Sequence, residues 1–197
     1  MDAAAWDERY RDRPDPWGGE PAETVRQRLA GASPGHAVDL ACGDGRHARW
    51  LARQGWRVTA VDHSEVAIEQ ARAKDPDGRI DWRVGDVTNL VPDGAADLVL
   101  ISFLHLPIPQ LQALIATAAR WLDPGGRLLY LGHSIDNHHR GTGGPPDPTI
   151  LPGIADLAPA ARGLRVDALE HVLRQQGDGT AIDILLECGP WEQPEHH

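Results

Sequence analysis

Apolar and polar positions along the 197-residue chain change period several times, and the changes mark out its elements. Ala3 to Arg13 carry a helical pattern that stops at Pro14-Asp15-Pro16, because proline cannot continue a helix interior. Trp17-Gly18-Gly19 reads as a loop, and a second helix runs from Pro21 to about Ala30, proline being tolerated in a first turn. From Ala37 strands and helices alternate. AVDLAC is a short apolar strand, Arg46 to Gln54 a helix stopped by Gly55, and WRVTAVD a second strand. Ser64 caps a helix reaching about Lys74, with Glu65 favourably placed against its dipole. IDWRVGD and DLVLISFL are the next strands. Ile108 to Leu122 form a helix on Leu111, Leu114, Ile115 and Ala118. Asp123 to Gly126 make a turn before the strand RLLYLG. His133 to Pro148 read as a long loop, and Ile150 to Ala161 as a weak helix. RVDALEHVLR and TAIDILLEC are final strands joined by Gly177-Asp178-Gly179. Such alternation predicts an α/β fold, a mostly parallel sheet with helices on both faces. The last two strands have no helix between them, so one antiparallel strand is expected at that edge.

Length and composition change this picture little. The chain suits one domain over 1–197, with residues 1–35 as an N-terminal helical cap segment and 36–191 as the core. No apolar run approaches a membrane span, and the acidic, Trp-containing start is not a signal peptide, so a cytoplasmic protein is expected. Cys42 and Cys188 form no pair by spacing and read as reduced thiols. The net charge of -10 without a Lys/Arg cluster argues against a nucleic-acid partner. Lys74 is the only lysine. Residues 195–197, Glu-His-His, read as the remnant of a purification tag and are left out of any metal argument.

Gly43-x-Gly45-x-x-Ala48 follows a strand and opens a helix, so it sits where open parallel sheets bind ligands. The pattern alone also fits a dinucleotide site. Carboxylates separate the two. Asp39 precedes the turn and Asp44 lies within it, and both would repel a pyrophosphate. S-adenosylmethionine carries a sulfonium and an ammonium and no phosphate, so acidic neighbours suit it. Asp62 ends the second strand, where a carboxylate can accept from both ribose hydroxyls. Asp86 ends the third, within reach of an adenine amino group. Ala41, His63, Val87 and Ser102 complete the candidate cofactor contacts. A single-domain reductase would need a Tyr-x-x-x-Lys pair, and neither Tyr10 nor Tyr130 precedes a suitably spaced lysine. An NAD(P)-binding oxidoreductase is therefore the weaker alternative.

VDLACGDGRHARWLARQGWRVTAVDHS resembles the cofactor segment of class I S-adenosylmethionine-dependent methyltransferases. WDERYRDRPDPWGGEP, FLHLP, LDPGGRLLYLGH and GGPPDPTIL resemble the tellurite-resistance and thiopurine methyltransferase branch. The resemblance implies a Rossmann-like seven-stranded sheet with the last strand inserted antiparallel. It also implies that the N-terminal helices close over the cofactor, with Tyr10 or Trp17 touching its methionine end. Substrate residues of that branch cannot be placed here residue by residue, so no acceptor is carried over.

Methyl transfer needs positioning, and a base only if the acceptor must lose a proton. His105 follows the fourth strand and His133 ends the fifth, at the carboxyl edge expected to face the cofactor; both are candidate general bases. His138 and His139 lie near His133, but without a cysteine or carboxylate at ligand spacing no metal site is expected. Arg9 and Arg46 are expected in salt bridges with acidic neighbours, the alternative being guidance of the cofactor's carboxylate. The His133 to Pro148 loop is long enough to act as a lid over an acceptor, while its Gly/Pro content also permits simple surface slack. The expected partner is a small-molecule methyl acceptor, a thiol, chalcogenide or small O/N nucleophile. The alternative from another class is a regulatory protein that keeps the cofactor pocket without turnover. The sequence is silent on oligomeric state.

Overall fold

A computed structural model describes residues 3–13 and 15–191 of the chain, so Pro14 and the tag-like residues 195–197 lie outside the described residues. Its contacts divide the chain into two compact units, Met1–Ala96 and Asp97–His197. The first holds α1 (Ala3–Asp12), α2 (Glu23–Arg28), β1 (His36–Leu40), α3 (Arg46–Arg53), β2 (Arg57–Asp62), α4 (Glu65–Ala73) and β3 (Ile80–Val84). β1 pairs in parallel with β2, and β2 with β3. Every residue of β1 is buried, as expected of a strand covered on both faces. α3 turns His47, Ala48 and Leu51 inward, and α4 does the same with Ala67, Ile68 and Ala71. Ser64 caps α4 as expected, its hydroxyl accepting from the Ala67 N–H at 3.1 Å. α1 packs on α4.

β4 (Ala96–Ser102) carries the boundary between the units. The second unit continues with α5 (Ile108–Ala118), β5 (Leu122–His133), α6 (Ile135–Arg140), α7 (Ile154–Leu157), β6 (Arg165–Gln176) and β7 (Gly179–Gly189). α5 buries the four apolar positions read from its periodicity. β7 runs antiparallel to both β5 and β6. The seven strands form one sheet in the order β3-β2-β1-β4-β5-β7-β6, so the antiparallel last strand is inserted beside β5 rather than left at the edge. No helix among the described residues is long and apolar enough to cross a membrane.

Three local expectations differ from the structure. The Asp123–Gly126 turn is the leading end of β5, because Gly125 at φ 83° bends the chain without ending the strand. The weak helix after Ile150 is broken into α7 flanked by 3₁₀ turns, with Pro152 and Pro159 interrupting any longer run. The first part of the long loop is α6, which lacks an apolar stripe but has the ends a helix wants. Ser134 caps it, Asp136 sits in its first turn, and His138, His139 and Arg140 sit in its last.

The remainder of that loop is tied down. Buried Asn137 accepts from the Ile182 N–H at 2.7 Å and donates to the Gly143 carbonyl at 2.8 Å. The Thr142 N–H donates to the Thr180 carbonyl at 3.0 Å. Residues 141–144 thus form a strap along β7, not surface slack. Replacing Asn137→Ala leaves a buried N–H and a carbonyl without partners, which costs about 2–3 kcal/mol. Urea denaturation should show that loss as a lowered midpoint at unchanged slope. A loss under about 0.5 kcal/mol would mean water replaces the amide and the strap is not held this way.

Candidate functional site

In the first unit the site is built where β1 and β2 end. After β1 the chain passes through Ala41, Gly43 and Gly45 at φ 57°, 56° and 83°, three left-handed residues in five. Ala41 bears this at a cost of roughly 1–2 kcal/mol, so the turn is over-determined by its surroundings. Those surroundings explain both glycines. A Cβ on Gly43 would strike the Tyr10 hydroxyl, and one on Gly45 would strike the Trp82 ring. The Trp82 indole N–H is itself held by Asp75 at 3.1 Å.

Asp62 closes the turn from the neighbouring strand end. Its Oδ2 accepts from the Gly43 N–H at 2.8 Å and its Oδ1 from the Ser64 N–H at 2.9 Å. A carboxylate has about four acceptor positions, so each oxygen keeps one for a ligand hydroxyl. Burial raises the Asp62 pKa, and backbone donors from Ser64, Gly43 and, more weakly, His63 oppose it.

Asp39 is a different case. It is fully buried in β1, and neither carboxylate oxygen has a hydrogen-bond partner of ordinary geometry among the described residues. The Ala48 amide offers only a weak interaction. Burial, with the nearby Asp62 charge, pushes the Asp39 carboxyl up to about 8, against the pull of Arg46. A buried unpaired carboxyl is costly to ionise, and a cation beside it removes that cost. An ammonium-bearing ligand therefore fits this turn and a phosphate does not. The Asp44 charge contributes less to that preference than its place in the turn suggested. Lys74 Nζ lies 2.8 Å from its carboxylate and 3.1 Å from that of Asp15, so the only lysine neutralises it.

The N-terminal segment is fastened to this turn by polar links. Asp7 accepts from the Ser64 hydroxyl at 2.6 Å and from the Val66 N–H at 3.2 Å. Gln70 donates to the Tyr10 carbonyl at 2.9 Å, and Arg46 to the Trp17 carbonyl at 3.2 Å. Tyr10 is buried, and its hydroxyl pKa is raised by burial and then by Asp62 and Asp44. Trp17 is 46% exposed and is therefore not core; the Arg9 guanidinium lies 5.1 Å from its ring and 5.2 Å from that of Trp6. Arg9 is thus a stacking residue rather than a surface salt bridge. His63 is half-buried after β2. Asp86 lies two residues beyond β3 and is exposed, accepting from the Thr88 N–H and hydroxyl at 2.9 and 2.8 Å and from Asn89 at 2.9 Å. Thr88 holds its pKa down. Expected to end the strand, Asp86 instead caps the turn that follows, the strand stopping at Val84. Val87 beside it is buried.

In the second unit Ser102 ends β4 with a buried hydroxyl that has no partner among the described residues. Phe103 follows at φ 56°, an uncommon conformation for an aromatic residue, with its N–H donating to Leu131 at 2.7 Å. The structure brings the two candidate bases together. The His105 and His133 rings are stacked at 5.7 Å, and Phe103 lies 5.3 Å from His133. His133 Nδ1 is 3.0 Å from Asp183 Oδ1, off the line of a well-directed hydrogen bond. Asp183 is fully buried, and Arg174 Nε donates to its other oxygen at 2.8 Å. Burial disfavours the Asp183 anion, yet His133 and Arg174 together hold its pKa below the ordinary value. Sequence reasoning missed Asp183 and Arg174. The visible signal was a single acid inside the apolar run AIDILL.

Residues 37–126 match the family described as a methyltransferase domain. One relative is the ubiquinone/menaquinone biosynthesis C-methyltransferase UbiE of Rubrivivax gelatinosus, 37% identical over 111 residues. That match covers 54% of this chain and 43% of the relative, so the chain spans less than half of that protein. Among solved structures, TehB from Haemophilus influenzae superposes with a TM-score of 0.73 at 16% identity, over 94% of this chain and 67% of that one. The N-methyltransferase NodS from Bradyrhizobium japonicum, in complex with S-adenosyl-L-homocysteine, gives 0.73 at 17%, over 95% and 99%. At these identities the structural likeness speaks for the fold alone.

His47 supplies a test of how the N-terminal segment is held. Its Nε2 accepts from the Ala22 N–H at 3.1 Å, and burial holds its pKa well below the ordinary value. The folded state therefore keeps His47 neutral while the unfolded state protonates near pH ~6.5. Its contribution to stability is present above that pH and is lost as pH falls below it, by up to about 1.4 kcal/mol per unit. His47→Gln keeps an acceptor without titrating. The stability difference between wild type and this variant should shift by that slope below pH ~6.5; a pH-independent difference would show that His47 is not held neutral.

Proposed function

We propose that the chain is an S-adenosylmethionine-dependent methyltransferase acting on a small molecule. The observation that carries this reading is the buried, unpartnered Asp39 carboxyl beside a glycine turn whose neighbouring carboxylate keeps two free acceptor positions. In this reading Asp62 takes the ribose hydroxyls, and Asp39 balances the ammonium end. Ala41, Gly43 and Gly45 let the backbone approach the ligand. His63, Asp86 and Val87 lie along the adenine, and Tyr10 and Trp17 close the methionine end with Ser102 as a further contact. The cofactor supplies an electrophilic methyl group when bound. His105 and His133 are the groups able to take a proton from the acceptor. We place the chain in the tellurite-resistance and thiopurine branch on its entry segment WDERYRDRPDPWGGEP. A cytoplasmic setting suits two buried free thiols, and a charge of -10 suits an acceptor other than nucleic acid.

Isothermal titration with S-adenosylmethionine and, separately, NAD(H) tests the reading. Micromolar affinity for the sulfonium cofactor alone is expected. Asp62→Ala removes two charge-assisted hydrogen bonds to the ligand and should weaken binding about 100-fold. Binding of NAD(H), or of neither, overturns the proposal. Release of S-adenosylhomocysteine on adding an acceptor separates an enzyme from a cofactor-binding regulatory protein.

A further inference from the structure

The second unit holds a constellation that cofactor binding does not use. His133 is the last residue of β5 and faces Asp183 directly across the antiparallel pair with β7. Arg174 lies on β6 two positions beyond Val172, the residue paired with Asp183, so it reaches the same carboxylate along the diagonal. Strand register alone therefore lines up Arg174, Asp183 and His133. Phe103 and His105 pack on the imidazole, and a Cβ on Gly144 would sit 3.2 Å from it. The ring is clamped on several sides, with its Nδ1 turned to the Asp183 carboxylate at 3.0 Å. The charged or titratable groups facing it are Asp183 from β7, Arg174 behind that carboxylate on β6, and His105 after β4. A buried carboxylate on Nδ1 selects the tautomer with the proton on Nδ1 and leaves Nε2 basic.

We propose that Asp183, held by Arg174, is a positioning residue that sets His133 as the general base for an acceptor bearing an O–H or N–H. This rests on the methyltransferase reading above. In the step, the acceptor's proton passes to His133 Nε2 and its freed electron pair forms the new bond to the methyl carbon. The carbon–sulfur pair stays on sulfur, and the imidazolium then returns its proton to water. Asp183 offsets the positive charge that His133 acquires. A thiolate acceptor needs none of this apparatus.

The same geometry dictates what Asp183→Asn does. Arg174 Nε must keep an acceptor, so the amide oxygen turns to Arg174 and its NH₂ turns to His133. Nδ1 then accepts, and the proton moves to Nε2. Long-range ¹⁵N NMR of the imidazoles in the full chain reads this directly. Wild-type His133 should carry its proton on Nδ1, and Asp183→Asn should move it to Nε2. A merely structural aspartate would leave the tautomer unchanged. With catechol, benzylamine and thiophenol as probes, transfer to the first two should fall about 100-fold or more in the variant at unchanged cofactor affinity. A wild-type His133 protonated on Nε2, an unaltered tautomer in the variant, or transfer to thiophenol alone overturns the proposal. The wild-type spectrum decides even if the variant does not fold. Failure of the wild type to bind S-adenosylmethionine would instead sink the methyltransferase reading, leaving the tautomer assignment intact.

Discussion

A carboxyl group with no partner, fully buried in a strand, sets the terms for the first unit. Asp39 sits in β1, where every neighbour is packed and no water-exposed escape exists. Ionising it there is unfavourable, and Asp62 nearby adds to the difficulty. The surrounding chain relieves what it can. Backbone N–H groups of Gly43 and Ser64 take up Asp62, and Lys74 neutralises Asp44. His47, which would bring a positive charge, is kept neutral and used as an acceptor for the Ala22 N–H. Asp39 is left with only the pull of Arg46 and a weak interaction with the Ala48 amide. The balance is poor for a free protein and good for one that receives a cationic ligand, the usual sign of stability given up for a site.

The second unit answers to a different constraint, the register of antiparallel strands. Inserting β7 between β5 and β6 lets one aspartate face a histidine on one side and an arginine on the other. A one-residue slip would turn Asp183 to the opposite face and dissolve the arrangement. The Asn137 strap, which joins α6 and the Gly143 carbonyl to the Ile182 N–H next to Asp183, secures that register. Phe103, left-handed at the end of β4, adds local strain of about 1–2 kcal/mol and packs against the imidazole.

Much of this was legible in the sequence where period and local chemistry agree. Alternating apolar runs gave the strands and helices, and the glycine turn with its acidic strand ends marked a ligand site. Asp62 and Asp39 were read from position alone, since a charge at or near the end of a buried strand has few structural uses. What could not be read depends on long-range register or on neighbours distant in sequence. His133 was visible, but Asp183 lies 50 residues later and Arg174 on yet another strand. The pairing of Asp44 with Lys74 offsets the charge inferred from the turn alone. α6 was hidden because its stability comes from end chemistry and contact with β7, not from an apolar stripe.

The central claim is that Asp39 waits protonated for a cation. With its pKa near 8, it holds a proton at pH ~7 in the free protein, and a bound ammonium would drive that proton off. Titrating S-adenosylmethionine into the protein in phosphate and in Tris buffers at that pH separates proton release from intrinsic heat. Release of close to one proton per cofactor, abolished in Asp39→Asn, is the result expected. Binding with no release, or release that persists in Asp39→Asn, would contradict it.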